Sequence, residues 1–167
     1  MTERLDAPLV ADERTMLEAW LDYHRDTLMM KCDGLRAGDL KRRSCPPSNL
    51  SLLGLVRHLT EVERNWFRNV LAGEEVEPLY YSDEFPDGEF DLVDDADANA
   101  DFATWRAEVA VSRDLASERS LDDIGINRRH GELYSLRWII VHMIEEYARH
   151  NGHADLIRER IDGVTGD

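Results

Sequence analysis

The stretch Tyr134–Gly163, YSLRWIIVHMIEEYARHNGHADLIRERIDG, is the longest uninterrupted helical pattern in the chain. On a wheel of about 100° per residue, Leu136, Ile139, Met143, Tyr147, Ala154, Ile157 and Ile161 fall on one side. The same stretch holds three of the six histidines, His142, His150 and His153, with Glu146 between them. His150 points close to the middle of the apolar cluster and Glu146 a little to one side. His153 lies nearer the edge, and His142 nearer still to the polar face. Glu146 and His150 are therefore the pair expected to face inward. Side chains four apart on a helix are neighbours and can reach one ion. A buried carboxylate without a partner is costly, so a cation or another partner must offset it.

Outward from this helix, Pro46-Pro47-Ser48-Asn49 is a helix-start signal. Leu52, Leu55, Leu59, Val62 and Trp66 follow at three- and four-residue steps, which predicts a helix over about 49–72, ended by Gly73. His58 borders its apolar face. Added to Glu146 and His150, it makes two imidazoles and one carboxylate with coordination positions left open. This set suits zinc or iron, with nickel also admitted, and an ion so held can act as a Lewis acid. The plainer reading is that His and Glu four apart form solvent-facing pairs. His142 and His153 read as groups behind the ligands or on the surface. Glu61, one turn after His58, could orient it through the second ring nitrogen.

After a loose lead-in over 1–11, Asp12 and Glu13 open a helix over about 12–32, with Leu17, Trp20, Leu21, His24 and Leu28 at helical spacing. Another spans about 98–117 through Phe102, Trp105, Val109 and Leu115. The acidic stretch 74–98 carries Pro78, Pro86, Gly88 and the aromatics Tyr80, Tyr81, Phe85 and Phe90. It reads as a long crossing loop, either a lid over the site or a cover for helix ends. Residues 120–131 read as a connection, with no strand of convincing length. Trp20, Trp66, Trp105 and Trp138 are expected in the core. Four long helices with one long connection predict an all-α four-helix bundle, a single domain across 1–167.

A net charge of −15 argues against nucleic acid and anionic membrane surfaces. No run of about 18 apolar residues and no secretory signal is present, so a cytoplasmic location is expected. Cys32 and Cys45 make neither a disulfide framework nor a CxxC zinc site.

The segments PPSNLSLLGLVRHLTEVERNWF (46–67) and SLRWIIVHMIEEYARHNGHADLIRERIDG (135–163) together resemble the two signature segments of the DinB-like superfamily. The closer resemblance is to its branch of small proteins in mycothiol-using bacteria. The resemblance implies an up-up-down-down bundle with a long crossover between the second and third helices. It implies a three-residue metal site: His58 from the second helix, and Glu146 and His150 ahead of the Leu156–Arg160 ending. Many members carry histidine where this chain has Glu146; the related mycothiol-dependent maleylpyruvate isomerases carry glutamate. His153 is the alternative for one ligand. Characterised relatives are thiol-dependent transferases or isomerases using mycothiol, bacillithiol or glutathione-like thiols. The resemblance thus implies a metal-dependent S-transferase joining a low-molecular-weight thiol, mycothiol in type, to a small electrophile, often as a homodimer. A non-catalytic metal-binding or stress-response protein, and a metal-assisted hydrolase with Glu61 or His153 as base, are the other readings.

Overall fold

The structure, a computed structural model, describes residues 4–166. Helix α1 spans Glu13–Cys32. Asp12 caps it, its side chain accepting the Thr15 amide and satisfying a donor that the first helical turn leaves unpaired. The expected lead-in falls partly on residues 1–3, outside the described residues. Its described part runs back along α1, with Arg4 stacked 4.2 Å over the Tyr23 ring and donating to Thr27 Oγ1. A short helix, α2 (Ala37–Leu40), lies in the connection that follows.

Helix α3 spans Leu52–Glu63. It begins at Ser51, whose buried Oγ accepts the Gly54 amide at 3.1 Å, and not at the Pro46–Asn49 start signal. A side-chain acceptor next to the first apolar residue decides the start. From Arg64 to Leu71 the helix continues with π-type winding. The Ala72 amide accordingly reaches back five residues to the Phe67 carbonyl. The helix stops at Gly73, whose φ of +69° suits a residue without Cβ.

The crossing stretch is not wholly a loop, since it contains a one-turn helix, α4 (Gly88–Asp91). Helix α5 spans Ala98–Ser117, capped by the Asp97 carboxylate. Where a strandless connection was expected, β1 (Ile124–Asn127) and β2 (Glu132–Ser135) form an antiparallel hairpin, with Ile124 opposite Ser135 and Asn127 opposite Glu132. Each strand is four residues long, and Ile124 and Ile126 point outward, so no buried alternation marks them. Gly125 lies on the backbone of the π-helical segment, where a Cβ would meet the Val70 carbonyl oxygen at 2.5 Å. The long helix α6 spans Leu136–Asp162, from Ser135, which accepts the Trp138 amide, to Gly163.

Helix α6 packs on α1 and α3, and α3 packs on α5. The shared core takes Leu28 from α1, Leu52, Leu55 and Leu59 from α3, and Leu136, Ile139, Met143 and Tyr147 from α6, all fully buried. Burying each large side chain contributes roughly 1.5–3 kcal/mol. Asn151 of α6 donates to the His24 carbonyl and Lys31 of α1 pairs with Asp155 at 2.8 Å, which fixes the sliding of α6 along α1. Of the four tryptophans expected inside, only Trp105 is buried. Trp20 and Trp138 are more than 40% exposed, and Trp66 is half-buried. Trp105 is inside because its indole N–H has a buried acceptor, the Tyr147 hydroxyl at 2.9 Å.

Candidate metal centre

Glu146 Oε2 lies 3.7 Å from His58 Nε2 and 3.5 Å from His150 Nε2. Donor atoms of the three residues all lie within 4.8 Å of one another. Two ligands held at 2.0–2.1 Å around a tetrahedral ion stand about 3.4 Å apart, so the two close approaches are near the spacing one ion requires. The set is also chemically apt: imidazole and carboxylate suit zinc, iron or nickel, and three protein ligands leave room for another. The residues present therefore fit a divalent ion.

The backbone explains the convergence. Glu146 and His150 are successive-turn neighbours on α6, while His58 comes from the middle of α3, which packs against it. Leu55 and Leu59 on one side of α3, and Met143 and Tyr147 on α6, are buried and hold the two backbones at fixed separation.

Each imidazole is supported from behind. His58 Nδ1 lies 3.4 Å from Glu89 Oε1 of α4. His150 Nδ1 lies 3.3 Å from His153 Nδ1. Burial holds the His153 imidazole below its ordinary value, and the His150 and Arg149 charges add to this, so a neutral His153 can accept the His150 proton. His142 sits on the far side of the same carboxylate, its Nε2 3.5 Å from Glu146 Oε1 and its Nδ1 3.6 Å from Glu145. Its ring is stacked on Trp138 (centroids 4.9 Å, 19° between planes) and set edge-on to Trp66 at 4.8 Å. Glu145 turns outward to Arg149.

Glu61 does not orient His58. Its Oε1 accepts the backbone amides of Leu79 and Tyr80, each at 2.6 Å, so that oxygen is occupied in fastening the crossing stretch. Glu89 was missed because it lies 31 residues beyond His58 and reaches it only through the fold. Gly88 is the signal that could have pointed there: a Cβ on it would meet the Tyr80 carbonyl oxygen at 2.3 Å.

The crossing stretch is tied down over the site. Arg57 donates to the Leu92 carbonyl at 2.9 Å and stacks 4.3 Å over the Tyr80 ring. Arg64 donates to the Glu77 carbonyl and Arg43 to those of Phe90 and Asp91. Phe90 stacks on the His58 ring with centroids 5.3 Å apart. Of the four aromatics in this stretch, Phe90 is therefore the one against the donors; Tyr81 and Phe85 point to solvent.

The electrostatics of the cluster call for positive charge. Burial alone would depress the His58 imidazole, but the Glu146 and Glu89 carboxylates outweigh it and raise it to about 9. The His150 and His58 contacts hold the Glu146 carboxyl well below the usual carboxylate range. A proton on His58 offsets part of the negative charge around it, and a divalent cation would offset more. Burial pushes the Cys32 thiol up to about 12, which leaves it protonated and unreactive. A cavity of about 750 Å³ opens elsewhere, between α1 and the start of α5, and none of the His or Glu donors lines it.

A family model described as mycothiol S-transferase matches residues 16–163 of the chain. No curated protein and no solved structure matches.

Proposed function

Because the chain belongs to the mycothiol S-transferase family, we propose that it is a metal-dependent enzyme joining mycothiol to small electrophiles, with the ion held by His58, Glu146 and His150. The observation that carries this reading is the placement of one carboxylate oxygen, Glu146 Oε2, within 3.7 Å of Nε2 of two imidazoles on two different helices. In this reading α1, α3, α5 and α6 form an up-up-down-down four-helix bundle, with 74–98 as its long crossover. The protein works in the cytoplasm, where low-molecular-weight thiols are kept reduced.

When bound, the ion supplies the charge that keeps a coordinated thiol sulfur as thiolate. The residues do the rest. His58 and His150 direct Nε2 inward, Glu89 and His153 hold those rings in orientation, and Glu146 contributes the single ligand charge. His142 flanks Glu146, with the rings of Trp66 and Trp138 against it on the far side. The chain's own cysteines take no part, since the nucleophilic sulfur belongs to the cosubstrate. Zinc is the ion that best suits two imidazoles and a carboxylate with an open position, with nickel or iron as the alternatives.

The test is metal analysis of the purified protein with His58→Ala and Glu146→Ala variants, paired with a mycothiol conjugation assay on a haloalkyl electrophile. Stoichiometric metal in the parent, its loss in both variants and metal-dependent conjugation are expected. Metal retained by both variants removes the ligand set. Metal without conjugation to any cellular thiol moves the reading to a non-catalytic metal-binding protein.

A further inference from the structure

We propose that Glu89 is a positioning residue of the metal centre: its carboxylate accepts the Nδ1 proton of His58 and thereby fixes Nε2 as the nitrogen presented to the ion. The inference rests on the metal reading given above and assigns a role to the crossing stretch that the ligand set alone does not.

The geometry is built for this contact. Glu89 is buried, 7% exposed, and His58 Nδ1 is the polar neighbour of its Oε1 at 3.4 Å. Its Oε2 is buried with no hydrogen-bond partner. A buried carboxylate with one oxygen unpaired is costly to keep, and the arrangement is understandable where positive charge on the other side of the His58 ring offsets it. A ligating histidine that passes its second N–H to a carboxylate is held in one tautomer and one ring orientation, and becomes a stronger donor.

Three further features converge on the same ring. Gly88 allows α4 to press against the Tyr80 carbonyl, where a Cβ would stand at 2.3 Å. Gly54, one turn before His58, leaves room for Phe90, whose Cδ1 would lie 3.0 Å from a Cβ there. Phe90 then stacks on the imidazole face. Glu89 fixes the ring's rotation through its edge, and Phe90 fixes it through its face. Glu61, holding the Leu79 and Tyr80 amides, anchors the start of the segment.

The test uses the whole protein and zinc alone. Zinc affinity is measured by competition with a chromophoric chelator for the parent, Glu89→Leu, Glu89→Gln, Glu61→Gln and His58→Ala. Glu89→Leu is expected to weaken zinc binding 10- to 100-fold. Glu89→Gln keeps an acceptor oxygen and is expected to recover part of that loss. Glu61→Gln is expected to lose less than Glu89→Leu. Nitrogen-15 imidazole spectra of the zinc-bound parent should show His58 with its proton on Nδ1, and the Glu89→Leu variant should lose that N–H signal's protection from exchange. Melting of the metal-free variants checks folding; if Glu89→Leu does not fold, Glu89→Gln carries the test with a severalfold loss. Affinity within twofold of the parent in the Glu89 variants, with His58→Ala defective, overturns the role of Glu89 and leaves the ligand set standing. Equal zinc binding by the parent and His58→Ala overturns both.

Discussion

Arg25 and Glu63 meet between α1 and α3 as a two-pronged ion pair, Nε to Oε1 and Nη2 to Oε2, each at 2.8 Å. Both side chains are buried. Tyr147 of α6 donates to the same Oε1 at 2.9 Å, and Trp105 of α5 donates to the Tyr147 hydroxyl. One polar chain thus links all four long helices through the core. Removing Glu63 takes away both bonds that Arg25 makes in the core and leaves it only the more exposed Asp22, 2.9 Å from its Nη1. Glu63→Ala is expected to destabilise the protein by about 3–5 kcal/mol, read from urea unfolding. Arg25→Met with Glu63→Leu should be distinctly less damaging than Glu63→Ala alone. Equal loss in both would show that packing around the pair, not the stranded charge, carries the effect.

The metal-free protein should lose stability as pH rises from about 6.5 to about 9. His58 is raised above its ordinary value in the folded state. A raised imidazole contributes stability that is fully present below the unfolded value and disappears as pH climbs through the folded one. The contribution is about 3 kcal/mol at most. Unfolding in chelator at pH 6, 7.5 and 9 measures it, and His58→Ala should flatten the dependence. Glu146 acts at the other end: its depressed carboxyl gives stability present above about 4.5 and lost on acidification.

Two glycines should respond in opposite ways to alanine. At Gly88 a Cβ would collide with backbone oxygen, so Gly88→Ala is expected to destabilise by about 1–3 kcal/mol and to weaken zinc binding by displacing Glu89. Gly152 sits exposed inside α6 with nothing within 4 Å of its Cβ position. Gly152→Ala is expected to stabilise by about 0.5–1 kcal/mol. Thermal melts of the two variants provide the comparison.

Native protein treated with iodoacetamide near pH 8 should be alkylated at Cys45 and not at Cys32, since Cys32 is buried with its thiol near 12. Unfolding should bring a second label. Peptide mapping reads the sites, and fast labelling of Cys32 in the native state would contradict its burial.

The helix that carries Glu146 and His150 was legible because it is long, capped by Ser135 and Gly163, and striped with apolar residues that end up buried, from Leu136 to Ile157. The same stripe ranked its histidines, and the donor atoms of His58, Glu146 and His150 form one of two such clusters, the other being His142, Glu145 and Glu146. Legibility failed where the decisive partner is distant in sequence. Glu61 stands one turn from His58, yet backbone amides from Leu79 and Tyr80 claim it, while Glu89 arrives through a fold-back that no periodicity encodes. The hairpin escaped because its isoleucines face outward and its anchor is a glycine against a helix backbone. The tryptophans misled because hydrophobic bulk was read as depth. Trp138 instead stacks on His142 at the surface, and only the tryptophan with a buried acceptor is buried.

The π-type winding over Arg64–Leu71 makes chain length a variable of the site's surroundings. Such winding bonds each amide one residue further back than an α-helix does, so it takes up an extra residue within the helix. Deleting one residue from this segment would let it relax to ordinary α geometry without breaking the helix. His58, upstream, would stay where it is, and residues beyond the segment would keep their facing, because the residue removed is the one the wider turn takes up. Only side chains inside the segment would be re-aimed. Trp66 lies inside the segment, so its contacts with the rings of Tyr134, Trp138 and His142 are the ones the deletion would disturb. In this chain, insertion and deletion are therefore a route to remodelling what borders the donors while leaving the donors themselves alone.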